Sequence, residues 1–206
     1  MDFAMTVKIF TNPVSYSVDE IYEKSANEIL IGVEGGAYAA VISGLNLDLV
    51  IGDFDSLNKE AKETVINNAK KVVEYPQKKD YTDTYLAVKE ALKYTPDEII
   101  IYGGIGNRFD HSFANVLLLK LGPIALMNEN HKMYLLDPGK YTIDNSFEFI
   151  SFFALEDVSG LSLKGFTYHL NDYHLKLDDP LCISNQGSGE VAFDEGLILV
   201  IESSDK

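Results

Sequence analysis

The sequence predicts an α/β domain over residues 1–125, a Rossmann-like parallel sheet with helices on both faces, followed by an antiparallel β sandwich over residues 126–206. Three observations predict this order. In the first part, short continuous apolar runs alternate with helical patterns, the signature of strands buried on both faces. After Gly122-Pro123 the helical period disappears and short apolar runs follow one another. Those runs are separated by turn-forming groups, among them Asp137-Pro138-Gly139, Asp144-Asn145-Ser146 and Gly187-Ser188-Gly189, as in β sandwiches.

Taken in chain order, Val7–Phe10, Ile29–Val33 and Leu49–Ile51 read as strands because each is a compact, largely apolar run bounded by polar or glycine residues. Asn58–Ala69 carries a helical pattern, Lys71–Glu74 a short strand and Asp83–Tyr94 a second helix. Ile99–Tyr102, a helix over Asp110–Leu121 and the strand Ile124–Met127 complete the α/β part. There is no internal repeat, low-complexity tract or flexible linker, so the two parts are expected to pack closely.

Composition narrows the function classes. A chain of 206 residues with 46% hydrophobic content can bury about 70% of its unfolded surface without disulfide or metal staples. Cys182 is the one cysteine, so no intrachain disulfide forms and a buried, inert thiol in a reducing compartment is expected. Met1–Phe10 contains Asp2, with neither a basic leader nor a long apolar core, and predicts a cytoplasmic protein without a membrane span. A formal charge of -15 argues against a nucleic-acid binder, which needs a basic surface. The same charge means that a polyanionic substrate requires Mg²⁺, backbone N–H groups or positioned Arg and Lys nearby.

Three clusters meet that requirement. Gly52-Asp53-Phe54-Asp55-Ser56 follows the apolar run Leu49–Ile51, placing two carboxylates where open α/β sheets bind ligands. Two such charges about 4 Å apart repel by roughly 4 kcal/mol at an effective dielectric near 20, which Mg²⁺ relieves. In Gln77-Lys78-Lys79-Asp80-Tyr81-Thr82-Asp83-Thr84, Thr82 or Asp83 can cap the next helix, while Lys and Asp together offer a cation for phosphate and oxygen ligands for Mg²⁺. In Gly103-Gly104-Ile105-Gly106-Asn107-Arg108-Phe109-Asp110-His111, glycines permit close backbone approach and the following helix start favours anions. This is not a dinucleotide fingerprint, because the third glycine is not at the required spacing. Arg108 suits phosphate, with an ion pair to Asp110 as its alternative role. His131, His169 and His174 lack a zinc-ligand pattern, and His111 can serve as a helix-start hydrogen-bonder or a proton carrier.

These clusters, read with Asn115, Gly165-Phe166-Thr167-Tyr168-His169-Leu170 and Ile183-Ser184-Asn185, resemble the ordered motifs of thiamine pyrophosphokinases along nearly the whole chain. The resemblance implies Mg²⁺-dependent transfer of diphosphate from ATP to the hydroxyl of thiamine, giving thiamine diphosphate and AMP. It implies an ATP-binding catalytic domain over 1–125, a thiamine-binding and dimerisation domain over 126–206, and a homodimer with thiamine near the subunit interface. By position, Asp53, Asp55 and Asp83 would form the metal and phosphate centre, and Arg108 would stabilise charge on the transferred group. Asp80 and Thr82 would flank that centre, with Gly35, Gly36, Ser56, Lys79, Gly104 and Asn107 on the nucleotide side. Asp110, His111, Tyr168, Ser184 and Asn185 would belong to the thiamine side; Tyr168 can stack on a ring or serve as an ordinary sandwich aromatic.

Two positions depart from the family pattern. Glu34-Gly35-Gly36-Ala37 stands where an aspartate usually precedes the glycine turn, keeping the charge but lengthening the reach, and Leu47 stands where a proline often precedes the acidic strand. The alternatives are a non-catalytic thiamine or nucleotide sensor, a haloacid-dehalogenase-type Asp-x-Asp phosphatase and a nucleotide-sugar transferase. The phosphatase wants Thr or Val where Leu57 stands, and the transferase leaves the second and third clusters unexplained.

Overall fold

The computed structural model describes residues 4–75 and 80–205 and divides the chain into two compact units, residues 1–129 and 130–206. The expected strands of the first part are present, each boundary within one residue: β1 (Thr6–Phe10), β2 (Glu28–Val33), β3 (Leu49–Gly52), β4 (Val72–Glu74), β5 (Glu98–Tyr102) and β6 (Ile124–Met127). They pair in parallel in the order β4-β3-β2-β1-β5-β6, and Ile9 of β1 is in register with Ile31 of β2 and Ile101 of β5. Val7, Ile9, Ile31, Val50, Ile51, Ile99 and Ile101 are fully buried, which explains why these strands read as continuous apolar runs rather than alternating ones.

The strand order reverses at β1: the chain moves outward from β1 through β2 and β3 to β4, then returns to its other side as β5. The loops that leave β1 and β5 therefore diverge and open a crevice at the carboxyl ends of the strands.

The helices match the expected ones with shorter regular cores. In α3 (Lys59–Asn67), Asn58 accepts a hydrogen bond from the Ala61 N–H at 2.9 Å. In α4 (Asp83–Ala91), Thr82 caps through the Tyr85 N–H at 3.2 Å. A 3-10 turn, Leu92–Tyr94, extends α4, and another, Leu119–Leu121, extends α5 (Phe109–Leu118). Two helices have no counterpart among the expected ones: the short α1 (Val18–Ile21) and α2 (Glu34–Ile42). α2 escapes a periodicity argument because it opens on Glu34-Gly35-Gly36 and then buries Ala37, Ala39, Ala40 and Val41, leaving no polar face to set a period. Its Gly36 is a packing requirement, since a Cβ there would stand 2.4 Å from the Phe10 carbonyl carbon and the Thr11 nitrogen. α2 packs against β1, β2, β3 and α3, and α4 packs against the same three strands and α5.

The second unit is built from antiparallel strands, with no helix among its described residues: β7 (His131–Leu136), β8 (Gly139–Ile143), β9 (Phe149–Lys164), β10 (Leu170–Leu175), β11 (Gly189–Phe193) and β12 (Glu195–Ser203). β9, 16 residues long, pairs with β12 along its first part and with β10 and β11 along its last. Its buried apolar positions change parity on the way, from Ile150, Phe152, Ala154 and Val158 to Leu161 and Leu163, and the register with β12 shifts over the neighbouring stretch Ala154–Ser159. These side chains share one core cluster with Leu136, Ile143, Phe166, Leu175, Val191, Phe193, Ile198 and Val200.

One acid is buried in this unit. Glu202 of β12 accepts a hydrogen bond from the Tyr134 hydroxyl at 2.9 Å, and burial raises its pKa against the opposing pull of that bond and of Lys132. A raised folded value means that Glu202 contributes stability below the ordinary glutamate value of 4.5 and that this contribution is lost as pH rises through the folded value. In urea unfolding followed from acid to neutral pH, Glu202→Gln is expected to remove this loss while keeping an acceptor for Tyr134. The stability of the wild type relative to the variant should fall as pH rises above 4.5, and a flat difference would contradict the burial argument.

Candidate active site

The site is built where β1, β2, β3 and β5 of the first unit end. The chain leaves β2 directly into Glu34, a non-glycine residue with φ of 51° that is nonetheless buried. One carboxylate oxygen, Oε1, accepts the N–H groups of Asp53 and Phe54, both at 3.0 Å. The other, Oε2, accepts the Ser56 hydroxyl at 2.7 Å. Gly52 is dictated by this arrangement, because a Cβ there would lie 2.1 Å from Glu34 Oε1.

The turn that follows holds its own shape. Phe54 has φ of 59° and drives its ring into the core, with the Lys62 ammonium 5.1 Å from the ring centroid. The Asp55 N–H donates to Asp53 Oδ1 at 3.1 Å. As a result, oxygens of Glu34, Asp53 and Asp55 lie within 4.8 Å of one another, a group of hard carboxylate donors of the kind that binds Mg²⁺. Asp83, expected at the same centre, is not part of this group; it stands at the first position of α4 and lines the adjoining cavity.

That cavity has a volume of about 640 Å³ and occupies the crevice opened by the strand-order reversal. Glu34 belongs to its wall as well as to the acidic group, so the two share a side chain. Thr82, Asp83 and Thr84 approach from the start of α4, and Gly104, Asn107, Arg108 and His111 from the β5 loop and the start of α5. The β5 loop is fixed by its own helix: Asn115 Nδ2 donates to the Gly104 carbonyl at 2.9 Å, and the Gly106 N–H donates to Ser112 Oγ at 3.0 Å.

Arg108 forms the ion pair that the sequence offered as its alternative role. Its Nη2 and Nε reach Asp110 at 2.6 and 3.3 Å, and both side chains are exposed. The shared hydrogen bond raises the Arg108 pKa and holds the Asp110 carboxyl below its ordinary value. Asp80 is exposed, and Lys79 lies outside the described residues. Gly35 lies against the Asn12 side chain, and Gly36, within α2, packs against the Phe10–Thr11 backbone.

Thr11, Asn12 and Pro13 line the cavity without having been singled out, and so do Thr84 and Ser112. The Thr11 and Thr84 hydroxyls are 2.9 Å apart and tie the exit of β1 to the start of α4. The available signal was position, since Thr11-Asn12-Pro13 follows β1 on the ligand-binding edge of the sheet.

In the second unit, Tyr168, Ser184 and Asn185 come together. The Tyr168 ring is exposed, while Asn185 is buried and clasps its backbone: the Tyr168 N–H donates to Asn185 Oδ1 at 2.9 Å and Asn185 Nδ2 donates to the Tyr168 carbonyl at 2.7 Å. Asn185 Oδ1 also accepts the Gln186 N–H at 2.9 Å. Ser184, with φ of 58°, donates its N–H to Ser151 Oγ at 3.0 Å.

Comparison with known proteins adds an independent line. A family profile described as thiamin pyrophosphokinase, catalytic domain, matches residues 22–133, and one described as thiamin pyrophosphokinase, vitamin B1 binding domain, matches residues 140–198. The chain is 35% identical over 186 residues to a thiamine pyrophosphokinase of Bacillus subtilis, covering 85% of this chain and 87% of that protein. A crystal structure of thiamine pyrophosphokinase from Bacillus subtilis superposes with a TM-score of 0.88 at 30% identity, covering 98% of this chain and 100% of that one. A thiamin pyrophosphokinase family protein from Enterococcus faecalis superposes with a TM-score of 0.85 at 29% identity, covering 98% and 100%.

The clasp around Tyr168 predicts a stability effect. Asn185→Ala leaves the Tyr168 carbonyl and two backbone N–H groups without their partner, and is expected to cost at least about 2 kcal/mol. Chemical denaturation followed by circular dichroism checks this. An unmoved midpoint would mean that the amide acts only on a ligand.

Proposed function

The chain belongs to the thiamine pyrophosphokinase family, and from that premise we propose how its own residues divide the work of the reaction. It is a transferase that moves the diphosphate of ATP to the hydroxyl of thiamine, giving thiamine diphosphate and AMP. The sensor, phosphatase and nucleotide-sugar transferase alternatives are not favoured, since matches to a catalytic and a vitamin B1 binding domain together span most of the chain.

The observation that carries the division of labour is that Glu34 belongs both to the acidic group and to the cavity wall. We assign Asp53 and Asp55 to Mg²⁺, with Asp83 facing the same phosphates across the cavity. Bound there, the ion would neutralise charge on the phosphate oxygens during in-line transfer. Arg108 spends only two of its donors on Asp110, so its remaining N–H groups are available to an anion at the cavity mouth. The start of α5 and Asn107 favour the phosphates of the nucleotide, together with Gly35, Ser56, Asp80, Thr82 and Gly104 around them. A carboxylate at Asp55 or Asp83 accepts the proton of the attacking thiamine hydroxyl. Asp110, His111 and the Tyr168, Ser184 and Asn185 group are assigned to thiamine, whose cationic ring suits both the acids and an exposed aromatic.

The first unit is read as the ATP-binding catalytic domain, doubly wound with helices on both faces. Right-handed crossovers support this, because the return from β4 to β5 sends α4 and α5 to the face opposite α2 and α3. The second unit is read as a thiamine-binding β sandwich, supported by a core drawn from strands on both sides of β9. A homodimer is supported by α5 and the 3-10 turn that extends it, where Phe109, Phe113, Leu117 and Leu121 recur every four residues and stand exposed, Phe109 at 78%. This apolar stripe begins beside Arg108 and His111, so a second copy covering it would close the cavity mouth near thiamine. A cytoplasmic location is supported by the single, buried Cys182, whose thiol burial pushes up to about 11.

Two outcomes test these assignments. Asp55→Asn is expected to lower turnover at least about a hundredfold with the fold intact. Chromatography of AMP and thiamine diphosphate, with a no-thiamine control, measures it, and near-wild-type turnover would remove Asp55 from the centre. Placing charge in the stripe, as Phe113→Glu with Leu117→Glu, is expected to weaken self-association at least about tenfold. Sedimentation velocity reads that change, and an unaltered dimer would move the interface elsewhere.

A further inference from the structure

We propose that Glu34 is the positioning residue of the acidic loop rather than one of the groups that bind the cation. This rests on the reading of Asp53 and Asp55 as the cation-binding pair. A carboxylate offers about four lone-pair directions. Glu34 commits three of them, two to the Asp53 and Phe54 N–H groups and one to the Ser56 hydroxyl. Asp53, by contrast, gives one oxygen to the Asp55 N–H at 3.1 Å and keeps the other outside that bond. Glu34 is buried, Asp53 half-buried and Asp55 exposed, so the group grades from a scaffold side to an open side.

The turn needs such a scaffold. Glu34 and Phe54 are both non-glycine residues in the left-handed region, a conformation that persists where the surroundings over-determine it. Two anchors do so here: the Phe54 ring is buried at 2% exposure, and the Glu34 carboxylate gathers the N–H groups of the two successive peptides Gly52–Asp53 and Asp53–Phe54. Three residues thus specify one another, because Gly52 leaves the space that Glu34 Oε1 fills. The length of the glutamate matters in the same way: a side chain one methylene shorter would withdraw the acceptor from the turn. Since Glu34 also lines the cavity, the loop's conformation is tied to the wall that the nucleotide would meet.

The test compares Glu34→Gln, Glu34→Ala and Glu34→Asp in the full chain, with two readouts. A glutamine can accept from the same two N–H groups through its amide oxygen and donate to Ser56, whereas alanine and aspartate cannot span the gap. In the protein without nucleotide, amide hydrogen exchange across Asp53–Ser56 is expected to accelerate about tenfold or more in Glu34→Ala and to stay within about threefold of wild type in Glu34→Gln. In turnover assays, Glu34→Ala is expected to raise the half-saturating Mg²⁺ concentration by about tenfold or more and to lower kcat, leaving the KM for thiamine within about twofold. Glu34→Gln is expected to recover both to within about fivefold. Should Glu34→Ala fail to fold, Glu34→Asp carries the same comparison. Unaltered exchange in Glu34→Ala, or a glutamine variant as impaired toward Mg²⁺ as the alanine one with its amides still protected, overturns the proposal. The latter result would make Glu34 a ligand. A wild-type protein that forms no thiamine diphosphate would instead count against the reaction assignment, and the exchange comparison would still decide the role of Glu34.

Discussion

The reversal of strand order at β1 is the constraint on which the rest of the site depends. With β2, β3 and β4 on one side and β5 and β6 on the other, the loops leaving β1 and β5 touch where they begin, the Gly104 N–H donating to the Asn12 carbonyl at 3.2 Å, and then part. The space between them is the cavity, and Thr11, Glu34, Thr84 and Asn107 meet there from four separate stretches of sequence. The acidic loop after β3 sits one strand beyond β2 and reaches this space through Glu34, the first residue past β2. Chemistry is thereby placed by topology first and by residue type second.

The six strands of the first unit and its three amphipathic helices were legible because burial writes itself into apolar runs and periods. The acidic loop was legible for a different reason, since two carboxylates on a strand end have few structural explanations. What escaped was whatever depends on a side chain reaching across the sheet. Glu34 reads as a charge in a glycine turn, yet its three hydrogen bonds come from residues 19 to 22 positions away. α2 escaped because a helix made of small and apolar residues after Glu34 has no polar face. Thr11 and Thr84, 73 positions apart, meet only once β1 and α4 are packed. The grouping of Asp83 with Asp53 and Asp55 came from motif order, whereas the fold sets Asp83 on the cavity wall and brings Glu34 to the pair.

Electrostatics asks much of a chain with net charge -15 that accepts a polyphosphate. Two features of the fold answer locally. The starts of α4 and α5 point positive helix ends into the cavity region, and the Arg108–Asp110 pair keeps a guanidinium at its mouth. The pair is exposed, so salt screens it strongly, and Asp110 engages only two of the guanidinium's N–H groups.

The length of β9 has a consequence of another kind. A single strand serves as the central partner of β12 at one end and of β10 and β11 at the other. Loss of either end strips hydrogen bonds from neighbours on both sides, so the C-terminal unit has no seam along which to open in part. It therefore behaves as one foldon, and whatever surface it presents to a ligand is either wholly assembled or wholly absent.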